Sequence, residues 1–449
     1  MIIKNSEIAL PNSNELISLD IEIDQGKLVS IGENLEGPDV FDASGLQVFP
    51  GAIDPHVHFD EPGFTDREDF YHGTACAASG GVTTIIDMPC TSIPPVTNLG
   101  NLKHKLDIVS KRAVVDFGFF GGVSRQVMEK NYRKNMAELA EFVMGFKTYF
   151  ISGMESFGAL DLGQIQTVLN EAKKLNRPVL LHAEDPGIVN ELTKIEKAKG
   201  KGWDNFYRSR PESAETFALV KAIAVARATG AQLHIVHIGT GDAALLLKNE
   251  KNISGETAPH YLEFNNEDLD KIGAALKTVP VVKSKGNSEI LWEAFLDGTL
   301  DFIASDHAPA PIEQKNTGSA WTDYSGIPGS GTIFPYLYSE GLIKRKMPLS
   351  RFLQVTSENA AKRYGFWDRK GSIEVGKDAD LIFVDPKRNW RVKGAEFLSK
   401  GKTTPFEDRK FTGQVVKTLL RGKFIYECDK GITIEPGYGK FIKPQKGGE

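Results

Sequence analysis

Eight short runs of apolar and β-branched residues, each followed by a stretch of helical character, constrain this chain more than any other feature. They are "GAIDPHVHF", "GVTTIIDMP", "VVDFGFFGG", "VMGFKTYF", "RPVLLHAED", "QLHIVHIG", "NISGETAPHYL" and "LDFIASDHAP". Apolar runs alternating with helices are the pattern of a parallel sheet covered by helices. Eight such units close into an α/β (β/α)8 TIM barrel, in which chemistry collects at the C-terminal ends of the strands. The polar residues fall where that rule places them. His56 and His58 end the first run, Lys147 lies in the fourth, and His182 ends the fifth, followed by Glu184 and Asp185. His237 ends the sixth run, and Asp306 and His307 end the eighth.

The flanks have a different character. "ISLDIEIDQGKLVSIG" near the start and "VVKTLLRGKFIYE" near the end read as short strands joined by turns. Neither end is long enough for a core of its own, so residues 1–50 and 365–449 are expected to build one small β-sandwich around a barrel spanning 51–364. The tail "IKPQKGGE" reads as loosely held.

Composition excludes several classes. A formal net charge of −5 provides no basic field for nucleic acid or an anionic membrane. Three cysteines without a CxxC spacing indicate neither a disulfide framework nor a cysteine zinc site. No basic leader or long apolar stretch is present, so a soluble, cytoplasmic protein is expected.

Side chains two apart on a strand share a face, so His56 and His58 can hold one metal ion, or can be two satisfied polar residues at a strand end. His182, His237 and Asp306, each ending its own run, favour the metal, and this donor set suits zinc or a similar divalent ion. Lys147 interrupts an apolar strand, where an ammonium is costly. Either its side chain reaches solvent, or its neutral amine, favoured by burial, reacts with carbon dioxide to form a carbamate that bridges two metals.

In chain order, "PGAIDPHVHFDEPG", "GGVTTIIDMP", "GFKTYF", "LLHAED", "HIVHIGT", "ETAPHYL" and "SDHAP" resemble the cyclic amidohydrolases of the amidohydrolase superfamily: dihydroorotase, allantoinase and dihydropyrimidinase (hydantoinase). The resemblance spans nearly the whole chain, and dihydroorotase-like is the label that fits it. It implies a metal-bearing barrel with a β-sandwich made from both chain ends. It also implies two zinc or similar divalent ions, one held by His56, His58 and Asp306 and the other by His182 and His237. Lys147, as N6-carboxylysine, would bridge them. The implied reaction opens a ring amide with water activated by the two metals, Asp306 carrying the proton to the leaving nitrogen. Homodimers or homotetramers are implied, with a small cyclic amide or ureide as the partner molecule. Scaffold-like relatives of dihydropyrimidinase lack the metal ligands, whereas all six ligand positions are filled here.

The substrate-contacting positions depart from the dihydroorotase pattern. Asp60 stands where an arginine would grip a substrate carboxylate, and a second carboxylate there would repel it. Alternatively, Asp60 faces solvent or pairs with Arg67. Cys90 replaces an asparagine, Ala310 ends "DHAPA" in place of a histidine, and Lys283 in "VPVVKS" is the remaining candidate cation. "HVHFDEPG" and "DMPCTSIPP" resemble allantoinase, whereas "GIPGSGTIFPYLY" resembles dihydroorotase. His260 and His307 are expected either to stabilise charge or to hold the site together. These departures favour a neutral cyclic ureide, allantoin or a hydantoin, over dihydroorotate. The polar stretch "APAPIEQKNTGSAWTDYSG" after Asp306 is expected to be either a lid or a surface loop.

Overall fold

The computed structural model describes residues 1–445. At the start of the chain, β1 (Ile2–Ile8), β2 (Ile17–Asp24) and β3 (Lys27–Gly32) form an antiparallel meander. The β2–β3 turn places Gln25 and Gly26 at φ 47° and 78°, the left-handed pair that matches strand twist in a tight hairpin. Next, β4 (Val40–Asp42) and β5 (Gln47–Pro50) run parallel to β1. The chain then enters the barrel through Gly51, where a Cβ would lie 2.1 Å from the Thr83 hydroxyl, so only glycine fits.

The barrel strands follow in order: β6 (Ala52–Val57), β7 (Val82–Asp87), β8 (Asp116–Phe119) and its continuation β9 (Gly121–Gly122), and β10 (Phe146–Tyr149). The remaining four are β11 (Val179–His182), β12 (Leu233–Ile235), β13 (Ile253–Thr257) and β14 (Phe302–Ile303). Every neighbouring pair is parallel, and β8 pairs with β7 while β9 pairs with β10, so these two pieces act as one strand. The ring closes where the His58 amide donates to the His307 carbonyl at 2.7 Å. These are the eight runs expected from the sequence, and their ends converge on one mouth.

After the barrel, β15 (Leu381–Arg391), β16 (Lys410–Leu420), β17 (Lys423–Glu427) and β18 (Gly431–Ile432) return to the first sheet. There β15 lies antiparallel to β5, so both chain ends share one sheet, in the order β18-β17-β16-β15-β5-β1-β2-β3. Ile3, Ile21, Leu28, Val48, Phe383 and Leu419 form its buried face. A buried ionic cluster ties this sheet to the barrel. The Lys370 ammonium lies 2.8 Å from Asp116 on β8, 3.2 Å from Asp378 and 2.5 Å from Asp380, and Arg421 also pairs with Asp116.

The expectation of a loose tail does not hold for its first residues. Ile442 is buried and its amide donates to Phe117 O at 2.8 Å, while the Gln445 amide donates to Gly365 O at 2.8 Å. Residues 446–449 lie outside the described part. Among the described residues, no helix is long and apolar enough to cross a membrane.

Candidate active site

The mouth is built from strand ends, as parallel-strand geometry requires. His56 on β6 and His58 just beyond it turn their Nε2 atoms to the same Asp306 oxygen, at 3.2 and 3.3 Å. These three side chains place one ligand atom each within 4.8 Å of the others. His182, at the end of β11, has its Nδ1 3.0 Å from Nε2 of His237, and the His237 ring centroid lies 5.4 Å from that of His56. Lys147 on β10 is wholly buried, with its ammonium 4.7 Å from the Tyr149 ring and no hydrogen-bond partner among the described residues. It does not reach solvent.

Two glutamates orient the histidines. Glu256 on β13 contacts His56 Nδ1 at 2.5 Å and His234 Nε2 at 3.1 Å. Glu184 contacts His182 Nε2 at 2.9 Å and Arg210 at 2.5 Å. A carboxylate on one ring nitrogen fixes the proton there and leaves the other nitrogen's lone pair directed inward. That leaves Nε2 of His56 free, while Nδ1 of His182 turns inward toward Nε2 of His237. Consistently, His56 Nε2, His237 Nδ1 and Lys147 Nζ are buried without hydrogen-bond partners at this mouth. Orphaned donor atoms in such density are what a pair of cations would satisfy, so the residues fit a divalent metal centre.

The electrostatics agree at three of the four histidines and differ at His58, where burial is outweighed by Cys90 and Asp306, which raise its pKa to about 10. Burial lowers the pKa of His56, His237 and His182, which keeps these imidazoles neutral and ligating. Burial would raise that of Asp306, but the histidines around it hold it well below the usual carboxylate range. Burial brings Lys147 down to about 8, against the opposing pull of Asp306 and Glu256. His237 and Asp306 adopt left-handed backbone with φ 40° and 50°, an unusual conformation for residues other than glycine and one that concentrates at functional sites.

A cavity of about 940 Å³ opens over this centre, lined by His58, His182, His237 and Asp306 at its floor. Of the residues proposed from sequence to contact substrate, Cys90 lines it, with Sγ 3.0 Å from the Tyr149 hydroxyl and 3.7 Å from His58 Nδ1. The others do not. Asp60 is fully buried beneath the wall, and burial lifts its pKa to about 7 against the opposing pull of His58, Arg67 and Thr91. It does not face solvent, and Arg67 attracts it from beyond direct ion-pair contact. Lys283 is buried against Glu215 at 2.7 Å and donates to the Arg210 carbonyl, so it is not the free cation its position suggested. Both ring nitrogens of His307 are engaged, Nε2 with Glu68 at 3.0 Å and Nδ1 with the amides of Gly329 and Ser330, which makes it a structural residue. His260 is buried with its Nε2 unpartnered, and burial holds its pKa near 4, but it lies outside the cavity lining. Ala310 is buried and also absent from the lining, where Ala308 stands instead.

The structure adds residues to the wall. Arg67 stacks on Phe64 and Tyr324, 4.6 Å from each ring, and donates Nε to Gln314 at 2.7 Å. Tyr324 and Trp321 belong to the stretch after Asp306, which therefore covers part of the cavity. Lys315 pins that stretch from inside by donating to the Gly326 carbonyl at 2.5 Å. Glu256 carried a detectable signal, because a glutamate inside the apolar run "NISGETAPHYL" is as anomalous as Lys147 in its own. Arg67 and Tyr324 carried none, since their approach depends on how two distant loops fold together.

The Amidohydrolase family model matches residues 47–425. The chain is 36% identical over 436 residues to a protein named allantoinase from Rubrobacter xylanophilus, covering 95% of this chain and 94% of that one. It is 32% identical over 454 residues to an allantoinase from Salmonella newport, covering 98% of each. Among solved structures it is similar to an L-hydantoinase (dihydropyrimidinase) from Arthrobacter aurescens, with TM-score 0.93 and 30% identity over 98% of this chain and 99% of that one. A dihydropyrimidinase from Brevibacillus agri superposes with TM-score 0.92 at 30% identity, covering 99% and 98%. The strand-end histidines, the buried lysine and the shared two-part fold together place the chain in the amidohydrolase family, within its cyclic amidohydrolase group.

Proposed function

We propose that the protein hydrolyses a ring C–N bond in a neutral cyclic ureide of the allantoin or hydantoin type, using two divalent metals, zinc or similar. His56, His58 and Asp306 would hold one, His182 and His237 the other, with Lys147 as a carboxylated bridge. When bound, the metals would supply Lewis acidity and lower the pKa of water. The chain's own groups do the rest. Asp306 takes a proton from the attacking water as the new C–O bond forms at the ring carbonyl, then delivers it to the ring nitrogen as the C–N bond breaks. Arg67 directs a guanidinium to the cavity, where it suits a ureide carbonyl. Trp321 and Tyr324 exclude bulk water from above.

One observation carries the choice of a neutral substrate. The two positions at which a dihydroorotase-like site would meet a carboxylate are occupied by the buried Asp60 and by a Lys283 already neutralised by Glu215. The names of the relatives point the same way. The test is ring opening of allantoin, hydantoin, dihydrouracil and dihydroorotate by the metal-loaded protein, assayed side by side. A neutral ureide is expected to exceed dihydroorotate in kcat/KM by at least about tenfold, since neither of these two positions offers a substrate carboxylate a partner. Equal or better turnover of dihydroorotate would overturn the substrate assignment.

The bridge makes a separate prediction. With a pKa of about 8, roughly one Lys147 amine in ten is neutral at pH 7, against roughly one in three thousand for an ordinary lysine. Because the pKa is lowered, the reactive neutral form increases as pH rises through 8. Incorporation of ¹³C-labelled carbon dioxide at Lys147 in the metal-free protein, at constant CO2 pressure, should therefore increase from pH 7 to 9. Carbon-13 NMR reads this directly, and a signal that persists in Lys147→Ala would place the label elsewhere.

The same reading divides the chain into a barrel at 51–364 and a composite β unit from 1–50 and 365–449, supported by the β5–β15 pairing. It takes the protein to be cytoplasmic and a homodimer or homotetramer.

A further inference from the structure

The opposite end of the barrel holds a second cavity, of about 390 Å³, that the reaction does not use. It sits at the N-terminal ends of adjacent strands: Arg177 precedes β11, Gln232 precedes β12 and Lys251 precedes β13. Lys362 and Arg363, at the end of the helix Asn359–Arg363, form the facing wall. Four cations therefore surround one concavity, and among the described residues no carboxylate lines it.

Their existing partners do not balance that charge. Lys362 pairs with Glu358 at 2.9 Å, outside the lining. Among the described residues, Arg177 donates only to carbonyl oxygens, those of Ala140 at 2.8 Å and Asn176 at 2.9 Å. Arg363 donates to the Gln232 amide oxygen at 3.2 Å and the Leu233 carbonyl at 2.9 Å, and its Nε is buried without a partner. The Lys251 ammonium has no partner among the described residues. Tyr364, in the same wall, keeps a buried hydroxyl with no hydrogen bond. Arg177 and Arg363 are half-buried, and burial lowers the pKa of both, against the opposing pull of Tyr364 and Asp301 at Arg363. In a chain of net charge −5, this is a local concentration of positive charge facing one concavity.

We propose that this cavity binds a small, multiply charged oxyanion, a phosphorylated or polycarboxylated molecule of several carbons. Phosphate and carboxylate oxygens match the donor geometry of two arginines. The volume accepts more than a single phosphate and falls at the lower end of small-molecule sites. The site lies at the end of the barrel away from the catalytic mouth, so the proposal does not depend on the substrate assigned above.

The test is calorimetric titration of the metal-loaded protein with inorganic phosphate, pyrophosphate and citrate at constant ionic strength, so that general screening is the same throughout. Saturable binding of pyrophosphate or citrate is expected, tighter than that of phosphate. Lys251→Glu, at an exposed loop position, should weaken it about tenfold while leaving ring-opening activity unchanged. Arg177→Gln should weaken it in the same direction. The proposal is overturned if none of the three probes saturates, if Lys251→Glu binds as tightly as the parent, or if hydantoin competes with the anion, which would place the anion at the catalytic mouth.

Discussion

Asp306→Asn is expected to lower turnover of the ring substrate by about 10³- to 10⁴-fold, with the fold retained. The carboxylate stands within 3.3 Å of both His56 and His58 at the floor of the cavity, where the attacking water would give up its proton. Loss of a positioned general base costs about 10²- to 10⁴-fold, and weakened metal binding adds to this. Asparagine is the informative replacement because the residue sits at φ 50°, a region asparagine tolerates and alanine does not. Activity should therefore fall without loss of the thermal unfolding midpoint. A variant within tenfold of the parent at saturating substrate and metal would remove Asp306 from the reaction.

The second large effect is on stability. Lys370→Met should destabilise the protein by about 3–5 kcal/mol, the range for removing one partner of a buried ion network. The lysine is 2% exposed and holds three carboxylates that would otherwise face each other where β8 meets the terminal sheet. Burial would lower its pKa, but Asp116, Asp380 and Asp378 raise it. Its stabilising contribution is thus complete below the ordinary lysine pKa and is lost only as pH climbs through the raised value. On the acid side, Asp378 is held at about 2 because its cationic neighbours, Lys370 foremost, outweigh burial. Its contribution is lost as pH falls from about 4 toward 2. Urea unfolding at pH 7 reads the variant directly. A midpoint unchanged from the parent would mean the cluster only fills space.

How much of this was legible in the sequence depended on whether the signal was local. The barrel strands stood out because burial on both faces demands continuous apolar runs, and an ionisable residue inside such a run, as at Lys147, marks a tension that a single sequence displays. His56 and His58 were visible because a spacing of two on a strand is itself a geometric statement. Lys283 looked like a free cation because Glu215, which neutralises it, comes from a helix remote in the chain. His307 looked available for the same reason, since Glu68 and the amides of Gly329 and Ser330 reach it only in the folded state. At Asp60 the residue type was informative, but the sequence does not specify depth. A carboxylate expected at the cavity surface or in solvent lies beneath the wall. Glu256 was as legible as Lys147, since the same anomaly, an ionisable residue inside an apolar run, marks both.

The most direct test of the account is a zinc titration of the metal-depleted protein in bicarbonate, following ring opening of allantoin and hydantoin and counting bound metal per chain. Activity should rise with added zinc and level off at about two equivalents, with Lys147→Ala failing to reach that stoichiometry. Full activity in the metal-depleted protein, or a plateau at one equivalent unaffected by Lys147→Ala, would contradict it.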